Sequence, residues 1–212
     1  MARAQANSRK AKAGTPEYAK VKQGMVDAAI EFMAENGFRA FRFDELAKMV
    51  GYNRATIYRY FDSKNDLITC VMMTLMHEIT DDIIQKNAGT KAITKKRFTD
   101  SLYQVITDLR CDRRYAIVMD AQNVETFAQL THEYFSAITT SMLEKFMMDD
   151  PAGRVLKEGI GIADAVHWLM HQIISYGFFG LIGDNEEQQK AYLDKMVVSV
   201  IMSQAVPDVD AP

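Results

Sequence analysis

Residues 43–61, FDELAKMVGYNRATIYRYF, constrain this chain more than any other stretch. Phe43, Leu46, Ala47 and Val50 recur at helical spacing and share one face. Gly51 ends that run, as a residue that tolerates positive φ does after a helix. Asn53 is a good N-cap for a second helix beginning at Arg54. In that helix Ile57 and Phe61 fall four apart and point inward, while Arg54, Thr56, Tyr58 and Arg59 spread over the rest of the surface. Ala47 and Gly51 are small where two helices must cross closely, and Ile57 is a branched anchor for the second. This is the steric pattern of a helix-turn-helix. A second helix of this kind can enter a DNA major groove with its N-terminal residues against base edges.

Charge points the same way. Residues 1–65 hold 12 Lys+Arg against 7 Asp+Glu, and residues 66–212 hold 13 against 21. A basic head on an acidic body suits a polyanion-binding domain followed by one that binds something else. Residues 1–14, MARAQANSRKAKAG, read as a flexible basic arm, either solvated or laid along DNA. Thr15-Pro16-Glu17 starts the first helix, and Val21, Met25, Ala28, Ala29, Phe32 and Met33 give it an apolar stripe that braces the helix-turn-helix. Ser63 and Asp66 form an S-x-x-D start for a fourth helix running to about Lys86, with Lys64 at its N-terminus as a candidate phosphate clamp.

Beyond residues 87–89 the chain reads as helices over 92–110, 114–120, 123–148, 158–182 and 186–203, with a break at 149–153. Asp184 and Glu187 are the expected cap of the last helix. Only four prolines and long mixed stretches argue for an all-α fold. The domains expected are the arm 1–14, a helix-turn-helix domain 15–63, and a helical ligand-binding and dimerisation domain 64–212. Fourteen methionines fit either loose core filling or an adaptable ligand pocket. Cys70 and Cys111 match no metal spacing or disulfide framework, and no apolar run approaches a membrane span or a secretion signal. A cytoplasmic protein without membrane contact is the expectation.

Residues 51–68, GYNRATIYRYFDSKNDLI, resemble the recognition helix and following helix start of the tetracycline-repressor (TetR) family. The run Tyr58, Tyr60 and Phe61, then Ser63 and Lys64, carries the resemblance, which extends over residues 17–68. It implies an N-terminal three-helix DNA-binding domain, a helical body, and a dimer formed by the last two helices, here 158–182 and 186–203. It also implies DNA contacts from Thr56, Tyr58 and Lys64. Arg42, Asn53, Arg54, Ala55, Arg59 and Tyr60 complete the expected DNA-binding set, with Arg54 and Ala55 where such helices vary in base preference. The family usually has threonine or serine at the position of Arg42, capping the helix and touching a phosphate. Arg42 cannot accept that hydrogen bond, so its charge is the substitute.

No phosphate-binding glycine loop, nucleophile elbow or zinc-ligand set occurs, so no enzyme, metal or cofactor is expected. His167 and His171 are spaced to share a metal but lack further ligands. They read instead as part of a polar line, Asp164, His167, His171 and Ser175, facing a pocket or a dimer axis. His167, Trp168 and His171 are the candidate ligand contacts, in a pocket between the fourth helix and residues 98–181. The reading is a homodimeric transcriptional regulator, a repressor released from a palindromic double-stranded operator by a small-molecule effector. The rival is a helical dimeric interaction module that binds a protein, or binds DNA without sequence preference.

Overall fold

The computed structural model describes residues 14–86, 94–120, 139–140, 143–144, 155–204 and 206. The basic arm up to Ala13, the loop 87–89, most of the helix expected over 123–148, the break at 149–153 and the tail from Pro207 lie outside them. The chain is all-α, and among the described residues the one pairing of extended chain is an isolated antiparallel bridge between Leu156 and Met202. It divides into two compact units, Met1–Leu67 and Ile68–Pro212.

In the first unit, helix α1 (Pro16–Asn36) starts where the Thr15 side chain accepts from the Tyr18 amide at 3.2 Å, and it ends at Gly37. It buries Met25, Val26, Ala29, Ile30 and Met33. A short 3-10 turn (Phe38–Ala40) leads to α2 (Phe43–Val50), which buries Phe43, Leu46 and Ala47. Gly51 then adopts φ 71°, in the left-handed region. Its amide donates to the Lys48 carbonyl and the Tyr52 amide to that of Ala47, the two bonds of a Schellman closure. Asn53 caps α3 (Arg54–Ile57), accepting from the Thr56 amide at 2.8 Å.

The recognition segment differs from the uniform helix expected to Asp62. After Ile57 the chain tightens: Arg59 and Tyr60 bond three residues back, to Thr56 and Ile57. This turn delivers Phe61 inward, where it is 1% exposed, as buried as Phe41 and Ile57. Helix α4 (Lys64–Lys86) opens on Ser63, whose hydroxyl accepts from the Asp66 amide. The returning bond goes one residue further than expected, from the Asp62 amide to Asp66 Oδ2 at 3.0 Å.

The second unit takes α4 from Ile68 onward, α5 (Lys95–Cys111), α6 (Ile162–Phe179), α7 (Glu186–Leu193) and α8 (Ser199–Ile201). α5 presents Phe98, Leu102, Val105, Ile106 and Leu109 as one buried stripe and packs on α6 and α7. Lys190 joins α7 to α5, 2.8 Å from Asp100, which also pairs with Lys96 at 2.9 Å. Burial raises the Asp100 pKa, but the two lysine hydrogen bonds outweigh it and hold the group below the usual aspartate value.

Four expectations are corrected here. Residues 114–120 hold a 3-10 turn (Tyr115–Ile117), because the Asp112 carboxylate accepts from the Arg114 and Tyr115 amides and bends the chain. The helix expected over 158–182 is shorter at both ends. Gly159 turns with φ 82°, the Gly161 amide donates to Asp164 Oδ2 to start α6, and Gly180 ends it with φ 92°. The last helix is capped by Asn185 rather than Asp184: Asn185 Oδ1 accepts from the Gln188 amide, and Gln188 Oε1 accepts from the Asp184 amide. Finally, 186–203 is not one α-helix. A π-turn (Asp194–Val198) separates α7 from α8, with the Ser199 amide bonded to the Asp194 carbonyl five residues back.

Candidate nucleic-acid interface

The exposed surface of α3 is built on its N-cap. Asn53 Oδ1 accepts from both the amide and the hydroxyl of Thr56, the latter at 3.0 Å, so the threonine hydroxyl has its acceptor side free for an incoming donor. Arg54, the first helical residue, reaches Asp44 on α2, Nη1 to Oδ2 at 3.3 Å, and the Tyr58 hydroxyl, Nη2 to Oη at 3.2 Å. The Tyr58 ring stands edge-on to the buried Phe43 with centroids 5.0 Å apart, and it is 46% exposed. Ala55 and Arg59 are exposed beside them. Arg54, Ala55, Tyr58 and Arg59 therefore share one open face.

Tyr60 has a different place. Its ring stacks on Tyr18 of α1 with centroids 4.6 Å apart, and burial raises its pKa. Tyr18 also donates its hydroxyl to the Arg59 carbonyl at 3.3 Å. Tyr60 is thus half-buried packing that holds the recognition turn to α1. Tyr18 was not read from the sequence, although an aromatic ring on the first turn of an otherwise polar helix face is a signal that could have found it. Asp44 was likewise not read from the sequence as a site residue. Its pairing with Arg54 crosses the turn and cannot be seen at a spacing of ten residues.

Arg42 sits at the N-cap of α2 and gives it no side-chain hydrogen bond. Its Nη1 donates instead to the carbonyls of Phe41 at 2.8 Å and Arg39 at 2.7 Å. Lys64 Nζ donates to the same Phe41 carbonyl at 3.4 Å and lies 4.6 Å from the Phe38 ring centroid. Burial, and then the charge of Arg42, lower the Lys64 pKa below the ordinary lysine value. Two cations converge on one carbonyl where a helix begins.

The candidate ligand contacts belong to the other unit. Trp168 donates its indole N–H to the Val197 carbonyl at 3.2 Å and is half-buried. His167 and His171 are exposed, with their Nε2 atoms 3.2 Å apart. Asp164 and Ser175 are exposed on the same line, and Phe179 at its end is 88% exposed. Among the described residues no three His, Cys, Asp or Glu side chains are placed to hold a metal ion.

Residues 25–69 match the family model for bacterial regulatory proteins, tetR family. These residues form a TetR-type DNA-binding domain. The chain is 23% identical over 149 residues to the fatty acid metabolism regulator protein of Bacillus subtilis, covering 69% of this chain and 74% of that one. Its fold is shared with a Mesorhizobium loti regulator assigned to the same family, at TM-score 0.59 and 14% identity over 89% of this chain and all of that one. It is shared also with the FadR regulator of B. subtilis solved with stearoyl-CoA, at TM-score 0.51 and 21% identity over 89% of this chain and 99% of that one. The matched domain is that of a DNA-binding regulator, and the interaction-module reading is set aside. No described helix is long and apolar enough to cross a membrane.

Proposed function

We propose that this chain is a TetR-family repressor that reads a palindromic operator through Arg54, Ala55, Tyr58 and Arg59, with Arg42 and Lys64 on the phosphates and Thr56 joining them once its hydroxyl turns from Asn53 to donate to a phosphate oxygen. The observation that carries this is the open face of α3, where cationic and hydrogen-bonding groups stand over a buried Phe43 and Ile57. Phosphate contacts set register and base-edge contacts set sequence. Arg42 and Lys64 supply the first kind, since an anion bridging two cations offsets the burial and relieves the Arg42 repulsion that together depress the Lys64 pKa. Tyr60 and Asn53 act indirectly, one by packing and one by capping.

The dimer forms through α6 and α7–α8. Phe179, Ile182, Met196 and Val200 are 88%, 54%, 46% and 40% exposed, and apolar groups so placed want cover. The exposure of His167 and His171 on this side supports a dimer axis over a pocket. A two-fold protein requires a two-fold operator, with half-sites about 34–36 Å apart. The likeness to the fatty acid regulator supports a long apolar acyl ligand, free or as a thioester. That ligand favours the conformation that does not bind operator, and linkage then requires operator to weaken ligand binding by the same factor.

Selection of bound duplexes from a genomic pool, followed by titration against random DNA, tests the reading. Operator should be preferred by about 10³-fold or more at physiological salt. Titration with palmitoyl and stearoyl thioesters should release it. Equal affinity for random and selected DNA overturns sequence-specific repression. A panel of acyl ligands that leaves operator affinity unchanged overturns the acyl assignment alone.

A further inference from the structure

We propose that Asp44 is a positioning residue for base readout: with the Tyr58 hydroxyl, its carboxylate fixes the Arg54 guanidinium at the entrance of the recognition helix. The inference rests on the proposed role of Arg54 at base edges. Asp44 lies in the first turn of α2 and Arg54 is the first residue of α3, so the contact spans the helix-turn-helix turn. Nη1 is tied to Asp44 at 3.3 Å and Nη2 to Tyr58 at 3.2 Å. The guanidinium carbon also lies 5.6 Å from the centroid of the Tyr58 ring. That ring is itself set by its edge contact with Phe43, which is 7% exposed. The chain of support runs from the core through Phe43 and Tyr58 to the guanidinium.

Each Nη carries two N–H groups, and these contacts engage one on each. The second N–H of each, and Nε–H, are left for a fork to a guanine O6 and N7. The side chains of Arg54 and Asp44 are 56% and 58% exposed, so the pair adds little to folding stability. A carboxylate at a polyanion-binding surface, moreover, repels phosphate. Asp44 therefore costs affinity for DNA in general, and its return is order in the side chain that reads a base. An otherwise free arginine would lose that freedom on binding.

The two effects have opposite signs, and this separates positioning from a structural role. Asp44→Asn keeps the shape and removes the charge. Wild type, Asp44→Asn, Arg54→Ala and the double variant are titrated with a duplex selected from a random pool, with single-base variants of it, and with random duplex. In Asp44→Asn, affinity for random duplex should rise roughly threefold, as a like-charge repulsion is removed within a Debye length. Preference for the selected base at the position read by Arg54 should fall roughly tenfold. In the Arg54→Ala background Asp44→Asn should leave that preference unchanged. An Asp44→Asn variant with wild-type base preference overturns the inference, as does a loss of equal size on every duplex or one that persists without Arg54. A wild-type protein with no preference for any duplex removes the DNA-reading role itself, an outcome distinct from these.

Discussion

The faces of α3 and α6 are both exposed, yet they are finished in opposite ways. On α3 the exposed groups are polar and tied to one another: Arg54 to Asp44 and Tyr58, Thr56 to Asn53. On α6 and the segment after it, large apolar groups stand open, with Phe179 the most exposed. A surface prepared for a wet, charged partner gains by fixing its donors in advance. A surface prepared for a second copy of itself gains by area removed from water, which needs no ordered side chain beforehand. The difference suits each face to the partner proposed for it.

The largest effect that would break this comparison comes from the apolar face. Phe179→Glu with Val200→Glu should leave a folded monomer in sedimentation. Operator affinity should drop by about 10²–10⁴-fold through lost bivalency. A variant that remains a dimer would place the interface elsewhere. Phe61→Ala should come next, costing about 3–5 kcal/mol of stability in the first unit, since it empties a site that is 1% exposed. Denaturant midpoints report this directly, and a loss under 1 kcal/mol would mean that the recognition turn does not depend on its anchor.

Lys64→Ala sharpens the polar side. It should weaken binding to all duplexes alike and reduce the salt slope by about one unit. Its lowered pKa adds a pH signature. Bound phosphate favours the charged form, so binding takes up a proton as pH rises through the depressed free value, and affinity is lost there earlier than for an ordinary lysine. Buffer-dependent calorimetry detects that proton, and Lys64→Arg should abolish it. The smallest effect is at Arg42. Threonine there restores a side-chain acceptor to α2 and should stabilise the free protein by about 1 kcal/mol. Affinity at low salt should fall at the same time. Unchanged stability would mean that the Arg42 bonds to Arg39 and Phe41 are worth as much as the cap.

The first unit was largely legible because its determinants are local. Gly51, Asn53, Thr15 and Ser63 each act on amides within a few residues, and Ile57 and Phe61 need only helical spacing to be seen as buried. What escaped there crosses a turn: Asp44 to Arg54, and Tyr18 to Tyr60. The second unit was legible in kind and not in detail. Gly159, Gly161 and Gly180 fall within an apolar run, and only the backbone they adopt decides that they bound α6. Asp184 and Asn185 are both able caps. The choice fell to Asn185 because Gln188, three residues on, also reaches back to the Asp184 amide. The proposed contacts His167, Trp168 and His171 share a helix, yet the indole turns inward to Val197 while the imidazoles stay in solvent, and periodicity alone does not assign which side a partner takes.

The π-turn at Asp194–Val198 has a consequence for how this chain tolerates changes of length. A helix with such a turn holds one residue more than an α-helix spanning the same distance. Deleting a residue from α6 would rotate everything after it by about 100° and turn its buried line outward. Deleting one from 194–198 instead closes the widened turn, and the flanking α7 and α8 keep their phase. Within the described helices of this unit, that turn is the place where the chain can lose a residue, as it once could have gained one, without exchanging its inner face for its outer.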